Sequence, residues 1–136
     1  MVLVPAKTKF RKHQRGRLRG RASRGATLTF GEYGLQAMEC AYLTTNQVES
    51  ARKALTHYLK RGGKVWVRVC ADKIITGRAA ETRMGGGKGA PVAFVAPVKR
   101  GHIIFELAGI TGAEAEMALG LASYKLPIET RVVQKV

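Results

Sequence analysis

Arg83-Met84-Gly85-Gly86-Gly87-Lys88-Gly89 is the stretch whose residue types could do chemistry. Three consecutive glycines let a backbone approach a ligand closely and turn N–H groups toward phosphate oxygens, and Arg83 and Lys88 bracket them with positive charge. The spacing is not that of a nucleotide-hydrolysing phosphate loop. That motif needs Ser or Thr after its lysine and a helix behind it; here Gly89 follows Lys88 and a strand is expected next. A second set of cations opens the chain: Lys7, Lys9, Arg11, Lys12, Arg15, Arg17, Arg19, Arg21 and Arg24, with His13 among them and no acid in residues 1–25. Arginine predominates, and its planar fork suits bidentate phosphate contacts and stacking on bases. Elsewhere there is no pair of carboxylates, no Ser-His-Asp set and no metal-ligand spacing, since His13, His57 and His102 stand singly. The expectation is a binding protein, not an enzyme, with no cofactor and no metal.

The elements that must position these groups follow from periodicity. Thr27-Leu28-Thr29-Phe30 alternates and residues 37–43 are mostly apolar, which predicts one or two strands broken by Gly31 and Gly34. Thr44 with Gln47 makes a capping box, Leu43 can staple onto Val48, and Val48, Ala51, Leu55 and Leu59 form one apolar stripe, so a helix runs from Thr44 to the stop at Gly62-Gly63. Arg52, Lys53 and His57 lie off that stripe and could meet a phosphate backbone, whereas Lys60 and Arg61 suit the negative helix end. Residues 64–69 read as a strand, with three valines on one face and Lys64, Trp66 and Arg68 on the other. Trp66, the only tryptophan, reads as packing in preference to a base platform. Residues 71–91 read as one long loop holding Arg78 and the glycine run. Residues 92–98 and 102–107 read as a strand pair joined by the hairpin loop Lys99-Arg100-Gly101. A second helix, capped by Thr111 and Glu114 and striped by Ala115, Ala118, Leu119 and Ala122, stops near Lys125 before Pro127, and residues 128–133 make a last strand. The fold class expected is α+β: a mixed, largely antiparallel sheet with two helices packed on it, an extended basic arm over residues 1–25, and a single domain over 26–136.

Composition agrees with that reading. The chain has 136 residues, 46% hydrophobic, with 24 Lys+Arg against 9 Asp+Glu and a formal net charge of +15. That length suits one domain with one modest core. No apolar run approaches the roughly 18–20 residues of a membrane span. Nine of the fifteen net positive charges lie in the first 25 residues, where dense like charge and Gly16, Gly20 and Gly25 predict an extended or mobile arm that a polyanion would order. The stretch lacks a signal-peptide apolar core and is read as part of the mature protein. Cys40 and Cys70 are expected as reduced, buried or half-buried packing residues of an intracellular protein. A free-standing nucleic-acid binder should show a recognition helix or paired surface aromatics, and neither is evident in the sequence. A membrane-surface protein would need an apolar face on the basic segment, which has none.

Four pieces in order, Lys7-Thr8-Lys9-Phe10-Arg11-Lys12, Phe30-Gly31 with Tyr33-Gly34-Leu35, Arg83-Met84-Gly85 with Gly87-Lys88-Gly89, and Lys125-Leu126-Pro127-Ile128, resemble the bacterial and organellar L-sixteen family of large-subunit ribosomal proteins. The resemblance covers nearly the whole chain. It implies a structural constituent of the large subunit that binds its rRNA through the arm (Lys7, Lys9, Arg11, Lys12, His13, Arg15, Arg17, Arg19, Arg21, Arg24) and sits beside neighbouring ribosomal proteins. It also implies contact with A-site tRNA near the peptidyl transferase centre, with P-site tRNA as a second candidate. The loop Arg83, Met84, Gly85, Gly86, Gly87, Lys88 and Gly89 would reach tRNA, and Arg52 and Lys53 are candidates for a tRNA-facing helix surface. Residence on a cytoplasmic ribosome, with a plastid ribosome as the alternative, no homo-oligomer and no membrane complete the expectation. The chain departs from the family pattern at Ala71 and Ile74, where prolines are usual, at Gly86, where lysine is frequent, and at Ala93, where an aromatic is common.

Overall fold

A computed structural model describes residues 4–136, so the first three residues of the arm lie outside the described part. Seven strands and two helices run β1 (Tyr33–Ala37), β2 (Ala41–Thr44), α1 (Thr45–Tyr58), β3 (Lys64–Val67), β4 (Lys73–Gly77), β5 (Ala90–Val98), β6 (Ile103–Ala108), α2 (Gly112–Ser123) and β7 (Thr130–Gln134). They form two antiparallel sheets, β3-β6-β1-β7 and β2-β5-β4. The α+β class is therefore as expected, but there are two sheets where one was foreseen.

Local signals place both helices. The Thr44 hydroxyl accepts from Gln47 N at 3.2 Å and the Gln47 side chain accepts from Thr44 N at 3.0 Å; Thr111 and Glu114 repeat this box at α2. Val48, Ala51 and Leu55 of α1 and Ala115, Ala118, Leu119 and Ala122 of α2 are buried in one core with Leu35, Leu43, Val98, Phe105 and Leu107 from both sheets. Helix α1 ends earlier than foreseen, at Tyr58 with Leu59 as C-cap. Lys60 and Arg61, not the glycines, turn the chain first, at φ of 51° and 64°. Gly63 (φ 68°) follows against Ala108, whose carbonyl oxygen would stand 2.6 Å from an added Cβ.

Four expectations are corrected. Residues 27–30 form no strand; they cross the outer face of the four-stranded sheet, where Ile103 N donates to Gly25 O and Glu32 N donates to Leu107 O, each at 2.8 Å. Gly34 does not interrupt β1 but lies within it, because a Cβ there would stand 2.4 Å from Leu28 Cδ2 and 3.1 Å from Phe105 O; the missing side chain lets the crossing segment lie down. Residues 92–98 and 102–107 do not pair with each other. Both edges of β5 are taken by β2 and β4 and both edges of β6 by β1 and β3, so Lys99-Arg100-Gly101 carries the chain from one sheet to the other, with Gly101 at φ 94° donating to Ala37 O. Finally, the long loop contains β4, since Ile74 is buried opposite Phe94 and Ile75 pairs with Ala93. The glycine run is thus the tip of a β4–β5 hairpin spanning residues 78–89.

Among the described residues no helix is long and apolar enough to cross a membrane. Cys40 is half-buried and donates to Gly20 O, whereas Cys70 is exposed, contrary to expectation, because Val69 takes the inward position beside it.

Candidate nucleic-acid interface

The described residues of the arm form no helix or strand, yet they are fastened along the body, mostly through main-chain atoms and once through the His13 ring. Ala22 N donates to Arg100 O at 2.8 Å, the Cys40 thiol reaches Gly20 O at 3.3 Å, Lys73 Nζ holds Arg15 O, and Ile74 N donates to His13 Nδ1 at 3.2 Å. With backbone atoms and the His13 ring as the anchors, the side chains of Arg11, Lys12, Arg15, Arg17, Arg19, Arg21 and Arg24 stay exposed, as do Lys7 and Lys9, while His13 is half-buried. Charge patterning predicted an extended or mobile arm and does not reveal the hydrogen bonds that seat it.

The arm and the glycine hairpin meet. Lys12 Nζ donates to Lys88 O at 2.9 Å, and Lys88 Nζ donates in return to His13 O. Beside this junction lies a recess of about 370 Å³ lined by His13, Arg15, Tyr42, Lys73, Ile74 and Lys88, among others, with Lys73 Nζ 4.7 Å from the Tyr42 ring centroid. Sequence reasoning named the arm and the loop separately. It missed Tyr42 and Lys73, for which the only signal was their place on adjoining strands of a sheet whose pairing was not foreseen.

At the hairpin tip Gly85, Gly86 and Gly87 all have positive φ, at 103°, 82° and 93°, and Met84 is fully exposed. Arg78 gathers the tip from within, its Nη1 donating to the carbonyl oxygens of Arg83 (3.3 Å) and Gly85 (2.5 Å), while Arg83 is exposed. Gly89 has a different task. A Cβ there would stand 2.6 Å from Gly77 O and 2.9 Å from Gly77 C, so the close of the hairpin stem requires glycine. Gly89→Ala is expected to lower unfolding free energy by about 1–3 kcal/mol in urea titrations, as overpacking against rigid backbone does; an unchanged midpoint would mean that the stem shifts freely.

The helix candidates divide. Arg52 is bound by Glu49 through Nε at 3.0 Å and through Nη2, which lowers the Glu49 carboxyl below its ordinary range and raises Arg52, in each case chiefly through the shared hydrogen bond. Lys53 is exposed and lines a shallow recess with His57, Arg61 and Lys125, a basic patch set apart from the arm junction by sequence and by element. At the sheet corner His102 is held below its ordinary value by burial, with Gly25 packed on its ring.

On the outer face of the four-stranded sheet, Phe30 stacks on Trp66 with centroids 6.0 Å apart and planes 20° apart. These are the paired aromatics that the sequence did not show, since they come from a crossing segment and an edge strand far apart in the chain. The Arg68 guanidinium carbon sits 5.1 Å from the Phe30 centroid, and Arg68 Nη1 pairs with the fully buried Glu106 at 2.8 Å.

Fold and surface together define a class: a small basic α+β protein that carries its charge on a fastened arm and a glycine hairpin, with no cluster of His, Cys, Asp or Glu suited to a metal among the described residues. Comparison with known proteins narrows the class. A model of the family described as ribosomal protein L16p/L10e matches residues 5–133. The chain is 54% identical to large ribosomal subunit protein uL16c of Porphyra purpurea, over 97% of this chain and 95% of that one. It is 54% identical to uL16c of Gracilaria tenuistipitata over 98% and 99% of the two chains. It is 56% identical to uL16 of Trichodesmium erythraeum (strain IMS101) over 97% and 96%. The chain belongs to the ribosomal protein L16p/L10e family, and is a structural protein of the ribosome and not an enzyme.

Proposed function

We propose that the arm binds large-subunit rRNA and that the hairpin tip holds A-site tRNA near the peptidyl transferase centre, with P-site tRNA as a second contact. As a family member of this kind the chain is a constituent of the large ribosomal subunit, with rRNA and other ribosomal proteins as its partners. The observation that carries the finer reading is the seating of the arm: its carbonyl and amide groups and the His13 ring are used against the body while Arg11, Arg15, Arg17, Arg19 and Arg21 are exposed. Such a surface neutralises phosphates that would otherwise repel, and its affinity comes from counterion release. The tip offers charge without base-edge donors set for readout, so it would grip a phosphate backbone irrespective of tRNA sequence. Its cation for that purpose is Arg83, because Lys88 is engaged with the arm carbonyl of His13. Lys53, with His57 and Arg61, supplies the helix-side contact, and Arg52 contributes less because Glu49 neutralises it.

Arg83→Ala tests this reading. It should enter large subunits normally and weaken A-site tRNA binding about tenfold, the value of one charge-assisted hydrogen bond. Equal A-site occupancy by variant and wild-type ribosomes at limiting magnesium would overturn the assignment of the tip.

A further inference from the structure

We propose that Phe30 is a stacking platform for an unpaired base of large-subunit rRNA, with the exposed Lys64 as its flanking cation. The inference rests on the reading of the arm as an rRNA contact and extends it to a specific site. Phe30 is 57% exposed, although its backbone is among the most firmly held in the segment. Its N–H and that of Thr29 donate to the buried Glu106 carboxylate, Thr29 at 2.6 Å, and Glu32 N is bonded to Leu107 O. Between them Gly31 is buried and pressed on Leu107, whose carbonyl oxygen would be 2.6 Å from an added Cβ. The backbone that carries the exposed ring is therefore fixed.

Beneath it are Trp66 and Arg68, which alternate onto one face of β3 with the exposed Lys64. A ring resting on both neighbours at that exposure presents its other face to solvent. An apolar protein surface placed there would strip water from Lys64, whereas a nucleotide offers a π face to the ring and a phosphate to Lys64; Arg68, neutralised by Glu106, supports the ring from below. Continuity selects rRNA over tRNA as the source of the base. Residues 25–30 are the direct continuation of the arm, and Arg24 lies six positions before the ring, so a strand tracked by the arm arrives at Phe30.

The test uses the full chain and filter retention of two RNAs, large-subunit rRNA transcribed from the chain's own source and deacylated tRNA, across a salt series. Phe30→Leu keeps an apolar cover over Trp66 but removes the π face; it should lose about tenfold in rRNA affinity with an unchanged salt slope and no change for tRNA. Phe30→Trp should bind rRNA at least as tightly as wild type. The arm variant with Arg15, Arg17, Arg19 and Arg21 all changed to Gln reads the other claim separately, because it must lower the salt slope. Wild-type rRNA affinity in Phe30→Leu overturns the platform and leaves the arm reading standing; an unchanged slope in the arm variant overturns the arm and not the platform. A loss for tRNA alone by Phe30→Leu would assign the base to tRNA and overturn the rRNA source. If Phe30→Leu does not fold, Phe30→Trp decides, and a tenfold loss in that variant overturns the proposal.

Discussion

Glu106→Ala is expected to lower the unfolding free energy by about 3–5 kcal/mol, the usual result of breaking a buried ion pair from one side. The carboxylate is fully buried and is the acceptor for three donors on two elements: Thr29 N, Phe30 N and Arg68 Nη1. Its loss leaves two backbone N–H groups without an acceptor and a guanidinium, itself only 20% exposed, without its counter-charge. Each orphaned donor adds a desolvation penalty of about 1–3 kcal/mol where water cannot reach it. Glu106→Gln should cost less, because volume is kept and one oxygen still accepts. Urea unfolding followed by circular dichroism measures the stability of the whole chain, and the fluorescence of Trp66, the sole tryptophan, follows the crossing segment through its stacking with Phe30. A loss below about 1 kcal/mol in Glu106→Ala would show that Gly31 and the Leu107 bond hold the segment without the carboxylate.

The same residues show what a sequence can and cannot disclose. Both helix starts were legible because a capping box is written within four residues, and Thr44-Gln47 and Thr111-Glu114 bond as their types predict. The valine alternation of β3 was legible for the same reason, since period two is local and the partner face need not be known. Pairing was not legible. Lys99-Arg100-Gly101 has hairpin length, yet what decides its path is that β1 and β3 already flank β6, a fact about strands far away in the sequence. Reading residues 71–91 as one loop around the glycine run concealed β4, whose evidence is the burial of Ile74 against a strand beyond that run. For the site, the cations of the arm and the tip could be named from type and density alone. Their meeting at Lys12, His13 and Lys88, the Arg78 brace and the Phe30–Trp66 stack depend on tertiary placement, and no local pattern carries them.

Changing Arg15, Arg17, Arg19 and Arg21 together to Gln is expected to reduce rRNA affinity near 0.15 M salt by about two to three orders of magnitude and to flatten the log–log salt dependence by about 3. Labour is divided within the arm. The groups that seat residues 15–22 are main-chain atoms, Arg15 O on Lys73, Gly20 O on Cys40 and Ala22 N on Arg100 O, and Gln preserves all of them. The groups removed are four exposed cations, none of which pairs with Asp or Glu in the described ion pairs, which are Arg52–Glu49 and Arg68–Glu106. Folding should therefore be unharmed, and relief of self-repulsion in a chain of net charge +15 should leave the thermal midpoint equal or slightly higher. Measuring retention of the rRNA transcript from about 0.05 to 0.5 M salt separates the two ways the variant could fail. A parallel fall in affinity at every salt would mean lost structure, whereas a flattened slope means lost phosphate contacts; an unchanged slope would place the rRNA contacts elsewhere, with the Lys53, His57, Arg61 and Lys125 patch the next surface to neutralise.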